Sequence, residues 1–227
     1  MFWQRIGWLL RSSWRCHTSE FVTIKWHQKV YYTIKCICDF LIALIALIVL
    51  FPFFLIIAVA IKVDSKGPVF FVFNRVGKNG KDFKCYKFRS MSVEAKPDSA
   101  SCDFVQISHI TKVGKFLRKT SIDELPQLIN VLFGQMNLIG YRPVLRNEKK
   151  LNDLRHNYGV YQLKPGITGY AQVNGRDLLG DDPYKKAEYD SYYVSHISPW
   201  LDIKILFKTV IVVLRKDGNI DGKVEKK

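Results

Sequence analysis

Two acidic residues stand side by side in the stretch Arg118-Lys119-Thr120-Ser121-Ile122-Asp123-Glu124-Leu125-Pro126-Gln127. Adjacent carboxylates are candidates for chemistry where their surroundings hold them ionised. Pro126 is tolerated only in the first turn of a helix, so Asp123 and Glu124 are expected at or just before a helix N-terminus, where the dipole and free N–H groups keep a carboxylate ionised. On spacing alone the preferred reading is that they are first-turn acids in a capping box from Ser121 to Glu124. Cations recur in pattern. Strand alternation puts Lys87 and Arg89 on one face and Tyr86 and Phe88 on the other, so two positive charges converge on one spot suited to a diphosphate. Singly, each would read as a solvated surface charge. Arg142 follows Gly140-Tyr141. Arg176 closes a turn-rich run, residues 164–176, whose Gly166, Gly169 and Gly175 permit close backbone approach to a ligand, although such loops are usually only turns.

These residues need elements to position them. Residues 69–73 and 83–91 are rich in aromatic residues and flank Asn79-Gly80, which predicts a β-hairpin. Residues 113–118 read as a short helix and 123–133 as a longer one with Leu125, Leu128, Ile129 and Leu132 on its apolar side; the polar residues 94–103 read as a loop. A helix is expected from Tyr184 to about His196, and another opened by Ser198 and Pro199 and closed near Gly218. On the latter, Trp200, Ile203, Leu206, Phe207, Val210 and Leu214 form a broad apolar face opposite Lys204, Lys208 and Arg215. That pattern suits a core helix and a helix lying along a membrane equally.

Residues 40–61 contain no charged or polar side chain. As a helix they would reach roughly 33 Å, enough to cross a bilayer. No small-residue cleavage site follows, so the run is expected to be retained rather than removed as a signal peptide. Pro52, near its middle, predicts a kink. Arg5, Arg11, Arg15, Lys25, Lys29 and Lys35 precede the run and Lys62, Lys66, Arg75, Lys78, Lys81 and Lys84 follow it, which places both flanks on the cytoplasmic side. A re-entrant helix bending at Pro52 satisfies the proline and the charges together; a straight span with a tolerated proline is the alternative. Residues 1–35, with Trp3, Trp8, Trp14 and Trp26 among basic residues, read as an interfacial arm, with a poorly ordered leader as the even alternative.

The 227 residues carry 35 Lys and Arg against 20 Asp and Glu, a formal charge of +15 that calls for an anionic partner: nucleic acid, acidic lipid or a phosphorylated substrate. With 48% hydrophobic and 14% aromatic residues the chain is no disordered basic tail. Cys16, Cys36, Cys38, Cys85 and Cys102 are odd in number and lack C-x-x-C spacing, which indicates neither a disulfide framework nor a zinc site, and fits a reducing compartment.

Taken in order, residues 40–62 with Pro52, Asn74-Arg75-Val76-Gly77, Lys87-Phe88-Arg89-Ser90-Met91, Arg118 with Ser121 through Gln127, Gly140 through Pro143, and residues 164–176 resemble the bacterial sugar transferases, the monotopic phosphoglycosyl transferases. The similarity runs from about Lys35 to Asn219. It implies transfer of a sugar 1-phosphate from a UDP-sugar to polyprenol (undecaprenyl) phosphate with release of UMP, the first membrane step of exopolysaccharide, O-antigen or capsule assembly. It further implies Asp123 as a nucleophile that becomes a phosphosugar ester, Glu124 as the ligand of Mg²⁺, and Lys87, Arg89, Arg118, Arg142, Arg176 and Asp190 as substrate contacts. The implied fold class is α/β, mostly helical with a small β-hairpin. Its parts are an arm at 1–35, a re-entrant helix at 36–63, a cytoplasmic catalytic domain at 64–220 and a charged tail at 221–227. The expected place is the cytoplasmic face of the inner membrane. The expected partners are UDP-sugar, polyprenol phosphate, membrane lipids and, further, a second copy of the chain, but not nucleic acid. Two departures stand out. Phe51 precedes Pro52 where the family usually has Ser, removing a hydroxyl that could satisfy a freed carbonyl, and Tyr141 stands where the family usually has the first Pro of Pro-Arg-Pro. A reading from another class, a non-catalytic tethered module that binds nucleic acid or anionic lipid by charge, fits the +15 but not the adjacency of Asp123 and Glu124 among cations.

Overall fold

The computed structural model describes residues 21–93, 109–175 and 182–215. The first part of the arm, the 94–103 loop, Arg176, Cys16, Cys102 and the helix end near Gly218 lie outside the described residues.

Helix α1, Trp26–Asp64, runs continuously through Pro52 and is long and apolar enough to cross a membrane. It begins well before the expected boundary at 36, because Gln28, Lys35 and Asp39 are buried against the rest of the fold. Near its start, Gln28 Nε2 donates to the Ser195 carbonyl at 2.8 Å and Tyr31 Oη to Asp202 Oδ2 at 2.7 Å. Lys35 Nζ lies 2.5 Å from Asp39 Oδ2 and 3.6 Å from Asp202 Oδ2, so buried charges there are paired. In the middle, Ala43, Ala46, Leu47 and Leu50 pack on Cys85, Leu128, Val131 and Met136. Toward the end, Phe54, Ile57 and Ile61 pack on Phe88 and Leu117, and Asp64 Oδ2 accepts from the Val113 N–H at 2.9 Å. Both ends of α1 therefore touch one folded unit, while Ile45, Ile48, Val49, Phe51, Phe53, Ile56 and Val59 face outward uncovered.

The hairpin forms as expected from Asn79-Gly80, with shifted bounds: β1 (Phe70–Val76) pairs antiparallel with β2 (Asp82–Phe88) around a 3₁₀ turn at Lys78–Gly80. Helix α2, Lys112–Thr120, is capped by Thr111, whose hydroxyl accepts from the Gly114 N–H at 3.0 Å. A Cβ at Gly114 would lie 2.0 Å from the Ser90 carbonyl oxygen, so glycine lets α2 close onto the end of the hairpin. Ser121 then adopts φ 56°, ψ 16° as the C-cap of α2. The expected capping box does not form: Ser121 turns the chain instead, and residues 123–133 divide into a 3₁₀ turn, Ile122–Glu124, and a short helix α3, Gln127–Leu132.

Strand β3, Asn137–Ile139, pairs parallel with β4, Gly166–Thr168. Gly166 and Gly169 serve this pairing: a Cβ at Gly166 would meet the Gly140 nitrogen at 2.0 Å and one at Gly169 the Gly140 oxygen at 1.9 Å, so their close approach is to another chain segment. Helices α4 (Lys149–Asn157), α5 (Tyr170–Gly175), α6 (Pro183–Ser195) and α7 (Pro199–Arg215) complete the described fold. Asp202 and Ile205 bury the inner side of α7, and Tyr193 Oη donates to Asp202 Oδ1 at 2.7 Å. The predicted apolar face, Trp200 through Leu214, is exposed, so that face of α7 is not core. Cys36, Cys38 and Cys85 are free thiols.

Asn130, fully buried on α3, fastens that helix to β2. Its Nδ2 donates to the Lys84 carbonyl at 2.6 Å and to Gln135 Oε1 at 2.7 Å, and its Oδ1 accepts from the Tyr86 N–H at 3.1 Å. Asn130→Leu strands a buried donor and acceptor and is expected to cost about 2–4 kcal/mol in denaturant unfolding. A loss below 0.5 kcal/mol would show that α3 is held by apolar packing alone.

Candidate active site

The Asn130 suture places the 3₁₀ turn beneath Lys87. Glu124 Oε1 accepts from Lys87 Nζ at 2.7 Å and from Arg142 Nη2 at 3.2 Å, while Asp123 Oδ2 lies 3.9 Å from the same Lys87 nitrogen. Among the described residues, nothing donates a hydrogen bond to the Asp123 carboxylate or to Glu124 Oε2. The two acids consequently differ. Burial works against ionising Glu124, but Lys87 and Arg142 outweigh it and hold its carboxyl well below the usual range. For Asp123 burial dominates, and the proximity of Glu124 adds to it; Lys87, Arg118 and Arg142 oppose the rise without cancelling it, so its pKa moves up. Asp123 sits in a 3₁₀ turn ahead of a six-residue helix rather than in the first turn of a long one, and burial raises its pKa where a helix dipole would have lowered it.

A pocket adjoins the pair, walled by Phe73, Arg75, Cys85, Lys87, Glu124, Gln127, Arg142, Pro143, Gly166 and Ile167. Burial pushes the Cys85 thiol up to about 11, which keeps it protonated and a poor nucleophile near neutral pH. Three cations, Arg75, Lys87 and Arg142, and one carboxylate, Glu124, line the pocket, while Asp123 reaches it through Lys87, whose Nζ lies 3.9 Å from Asp123 Oδ2.

The family model for bacterial sugar transferases matches residues 30–216. The chain belongs to this family. It is 46% identical over 178 residues to a UDP-glucose:undecaprenyl-phosphate glucose-1-phosphate transferase of Klebsiella pneumoniae, covering 76% of this chain and 38% of the relative. It is 44% identical over 192 residues to a UDP-N-acetylgalactosamine-undecaprenyl-phosphate N-acetylgalactosaminephosphotransferase of Aeromonas hydrophila, covering 83% and 45%. An undecaprenyl-phosphate galactose phosphotransferase of Salmonella typhimurium is 40% identical over 196 residues, covering 79% and 40%. The chain spans about two fifths of the length of these curated relatives.

Of the residues singled out in the sequence, the structure joins Asp123, Glu124, Lys87 and Arg142. Arg118 comes close: its Nε donates to Ser90 Oγ at 2.9 Å, and its charge acts on Asp123. Arg89 does not converge with Lys87. It turns to the carboxyl end of α1, donating to the carbonyls of Ser65 at 2.7 Å and Lys66 at 2.9 Å and to Ser65 Oγ at 2.9 Å, because β2 ends at Phe88 and strand alternation no longer applies. Asp190 is buried away from the pocket. It accepts from Arg155 Nε at 2.9 Å and Nη2 at 2.6 Å, and Arg155 Nη1 in turn donates to the Arg142 carbonyl at 2.9 Å. Sequence reasoning missed Arg155, Asn130 and Gln127; the one local signal was a polar Asn130 amid Leu128, Ile129, Val131 and Leu132.

The opposite shifts predict opposite stabilities. Asp123 holds its proton more tightly folded than unfolded, so its ionisation subtracts stability as pH rises from the ordinary value near 3.8 through the raised folded value. Glu124, depressed when folded, adds stability that is complete above its ordinary value of 4.5 and disappears only as pH falls through the folded value. At neutral pH, without metal or substrate, Asp123→Asn is expected to leave melting unchanged or raise it. Glu124→Gln is expected to lower stability by about 1–3 kcal/mol by weakening the bonds to Lys87 and Arg142. Equal destabilisation by both substitutions would contradict this division.

Proposed function

We propose that the chain transfers a sugar 1-phosphate from a UDP-hexose to polyprenyl (undecaprenyl) phosphate, releasing UMP, as the first membrane step of a surface glycan. The observation that carries this reading is the Asp123–Glu124 pair, with one acid clamped by Lys87 and Arg142, which line a cationic pocket, and the other left with a cation no nearer than 3.9 Å. Family membership and the printed activities of the relatives support it; because those relatives act on glucose, galactose and N-acetylgalactosamine, the reading stops at UDP-hexose.

In this mechanism an Asp123 oxygen attacks the phosphorus that bears the sugar. The bond from that phosphorus to the bridging oxygen breaks, and UMP leaves with the electron pair. An oxygen of the acceptor phosphate then attacks the aspartyl-bound phosphorus, producing polyprenyl-diphosphate sugar and restoring the carboxylate. Lys87, Arg118 and Arg142 stabilise charge on the phosphoryl oxygens, and Arg176 is carried as a further donor contact. Arg89 and Asp190 enter as positioning residues, through the end of α1 and through Arg155. Mg²⁺ suits Glu124 Oε2, a hard oxygen without a hydrogen bond among the described residues. No cluster of three acidic, His or Cys side chains exists there, so the donor phosphates and water would complete its shell. Bound there, the ion would neutralise charge on the diphosphate.

The re-entrant reading of α1, with both flanks cytoplasmic, is supported by the contact of Gln28 with Ser195 and of Asp64 with Val113 in one folded unit. The exposed apolar side of α7 supports a place at the membrane surface.

Membranes containing the chain are expected to release UMP from at least one UDP-hexose when polyprenyl phosphate and Mg²⁺ are supplied. Asp123→Asn should lower that rate on the order of 10⁴-fold, and Arg118→Ala about 100-fold without loss of folding. No UMP from glucose, galactose or N-acetylated UDP-hexoses would contradict the proposal. Single cysteines at Lys29 and Lys66, both exposed, should be labelled from the cytoplasmic side alone; labelling from opposite sides would require a straight span.

A further inference from the structure

Strand β1 carries a pattern that the chemistry above leaves unused. Residues two apart on a strand share a face, and the antiparallel register sets Phe71 opposite Lys87, Phe73 opposite Cys85 and Arg75 opposite Phe83. Phe73, Arg75, Cys85 and Lys87 all line the pocket, so this is the face of the hairpin turned toward it. Along it the side chains read aromatic, aromatic, cationic. Phe71 and Phe73 stack with ring centroids 5.1 Å apart, and the Arg75 guanidinium lies 4.7 Å from the Phe73 centroid.

The two ends of this row have different neighbours. Phe73 and Ile167, both pocket walls, belong to the apolar cluster that also holds Ala46, Leu47 and Leu50 of α1. At the start of the strand, Val69 packs into the cluster of Phe88 with Phe54, Ile57 and Ile61 of α1, and Phe70 stacks on Phe88 at 5.5 Å. Phe71 itself remains 38% exposed and stacks on Phe73, a wall of the charged pocket. At the other end, Arg75 has an acidic partner only at 3.7 Å, in Glu148, and the neighbouring Arg142 repels it, a combination an incoming anion would relieve.

We propose that the inward face of β1 seats the lipid acceptor: Arg75, beside Arg142, receives its phosphate, and Phe73 and Phe71 carry its first isoprenoid units back toward α1. This rests on the transferase reading and names the acceptor's place within it. The four residue steps from Phe71 to Arg75 span roughly 14 Å, so the row matches an amphiphile with an anionic head and an extended apolar chain. The continuity of Phe73 with α1 gives that chain an apolar route to the bilayer. A nucleotide would match the cationic end but would leave exposed Phe71 and the link to α1 without purpose.

The test is photo-crosslinking of the full chain in detergent micelles with a polyprenyl phosphate bearing a diazirine in its second isoprene unit, followed by tandem mass spectrometry. The expected adduct lies on residues 69–75 and is competed by unlabelled polyprenyl phosphate but not by uncharged polyprenol. Arg75→Ala should reduce labelling at least fivefold, Arg75→Lys should restore part of it, and Phe71→Ser, at an exposed site, should reduce labelling while leaving melting unchanged. Labelling confined to α7 or to the outer side of α1, or labelling indifferent to Arg75→Ala in protein that melts normally, would overturn the proposal. Cross-linking reads the acceptor seat without turnover; failure of UMP release would instead strike the transferase reading.

Discussion

Lys87 holds Glu124 at 2.7 Å, and through that contact a hairpin strand and the turn after α2 become one site. A charge-assisted hydrogen bond of this kind is worth about 1.5–3 kcal/mol only if both partners arrive without strain, and much of the surrounding structure serves their arrival. Gly114 lets α2 approach Ser90, Ser121 turns the chain at positive φ, and Asn130 fastens α3 to the backbone of β2 beside Lys87. From the other side, Asp190 and Arg155 hold the carbonyl of Arg142, whose guanidinium supplies the second bond to Glu124. Because these cations engage Glu124 directly, Asp123 is left with a cation at 3.9 Å and a burial that raises its pKa. One contact therefore separates two adjacent and chemically similar acids.

The long helix is the second organising element. Its inward residues meet the rest of the fold at start, middle and end, and Arg89 closes its carboxyl terminus beside a Gly67 whose Cβ would lie 2.0 Å from the guanidinium. Cationic closure of a helix end is favourable with the dipole. Here it also ties the end of the apolar helix to the strand carrying Lys87, so that the uncovered apolar face of α1 and the pocket lined by Arg75, Lys87 and Arg142 share one scaffold.

Local chemistry was legible where it is decided locally. Asn79-Gly80 marked the hairpin and Pro199 after Ser198 marked α7, whereas spacing alone favoured Asp123 and Glu124 as capping acids and only the resemblance drew them out as site residues. The capping box failed because Ser121 could serve either as the cap of a following helix or as the end of a preceding one, and the choice depends on how α2 packs against Ser90. Arg89 was misplaced because alternation was extended one residue past the strand. Asn130 with Lys84, and Arg155 with Asp190, were invisible for a different reason: their partners lie far along the chain, and no periodicity reports a long-range hydrogen bond. The apolar side of α7 was visible as a pattern, but a pattern does not state whether protein or lipid covers it.

The central claim, that Asp123 attacks while Glu124 does not, is tested most directly by intact-protein mass spectrometry after incubation with a turned-over UDP-hexose and Mg²⁺ in the absence of any polyprenyl phosphate. The account predicts a gain of one sugar phosphate, mapped by peptide sequencing to Asp123 and matched by at most one UMP per chain before slow hydrolysis. An adduct on Glu124 or on any other residue, or UMP release that requires the lipid acceptor, would contradict it.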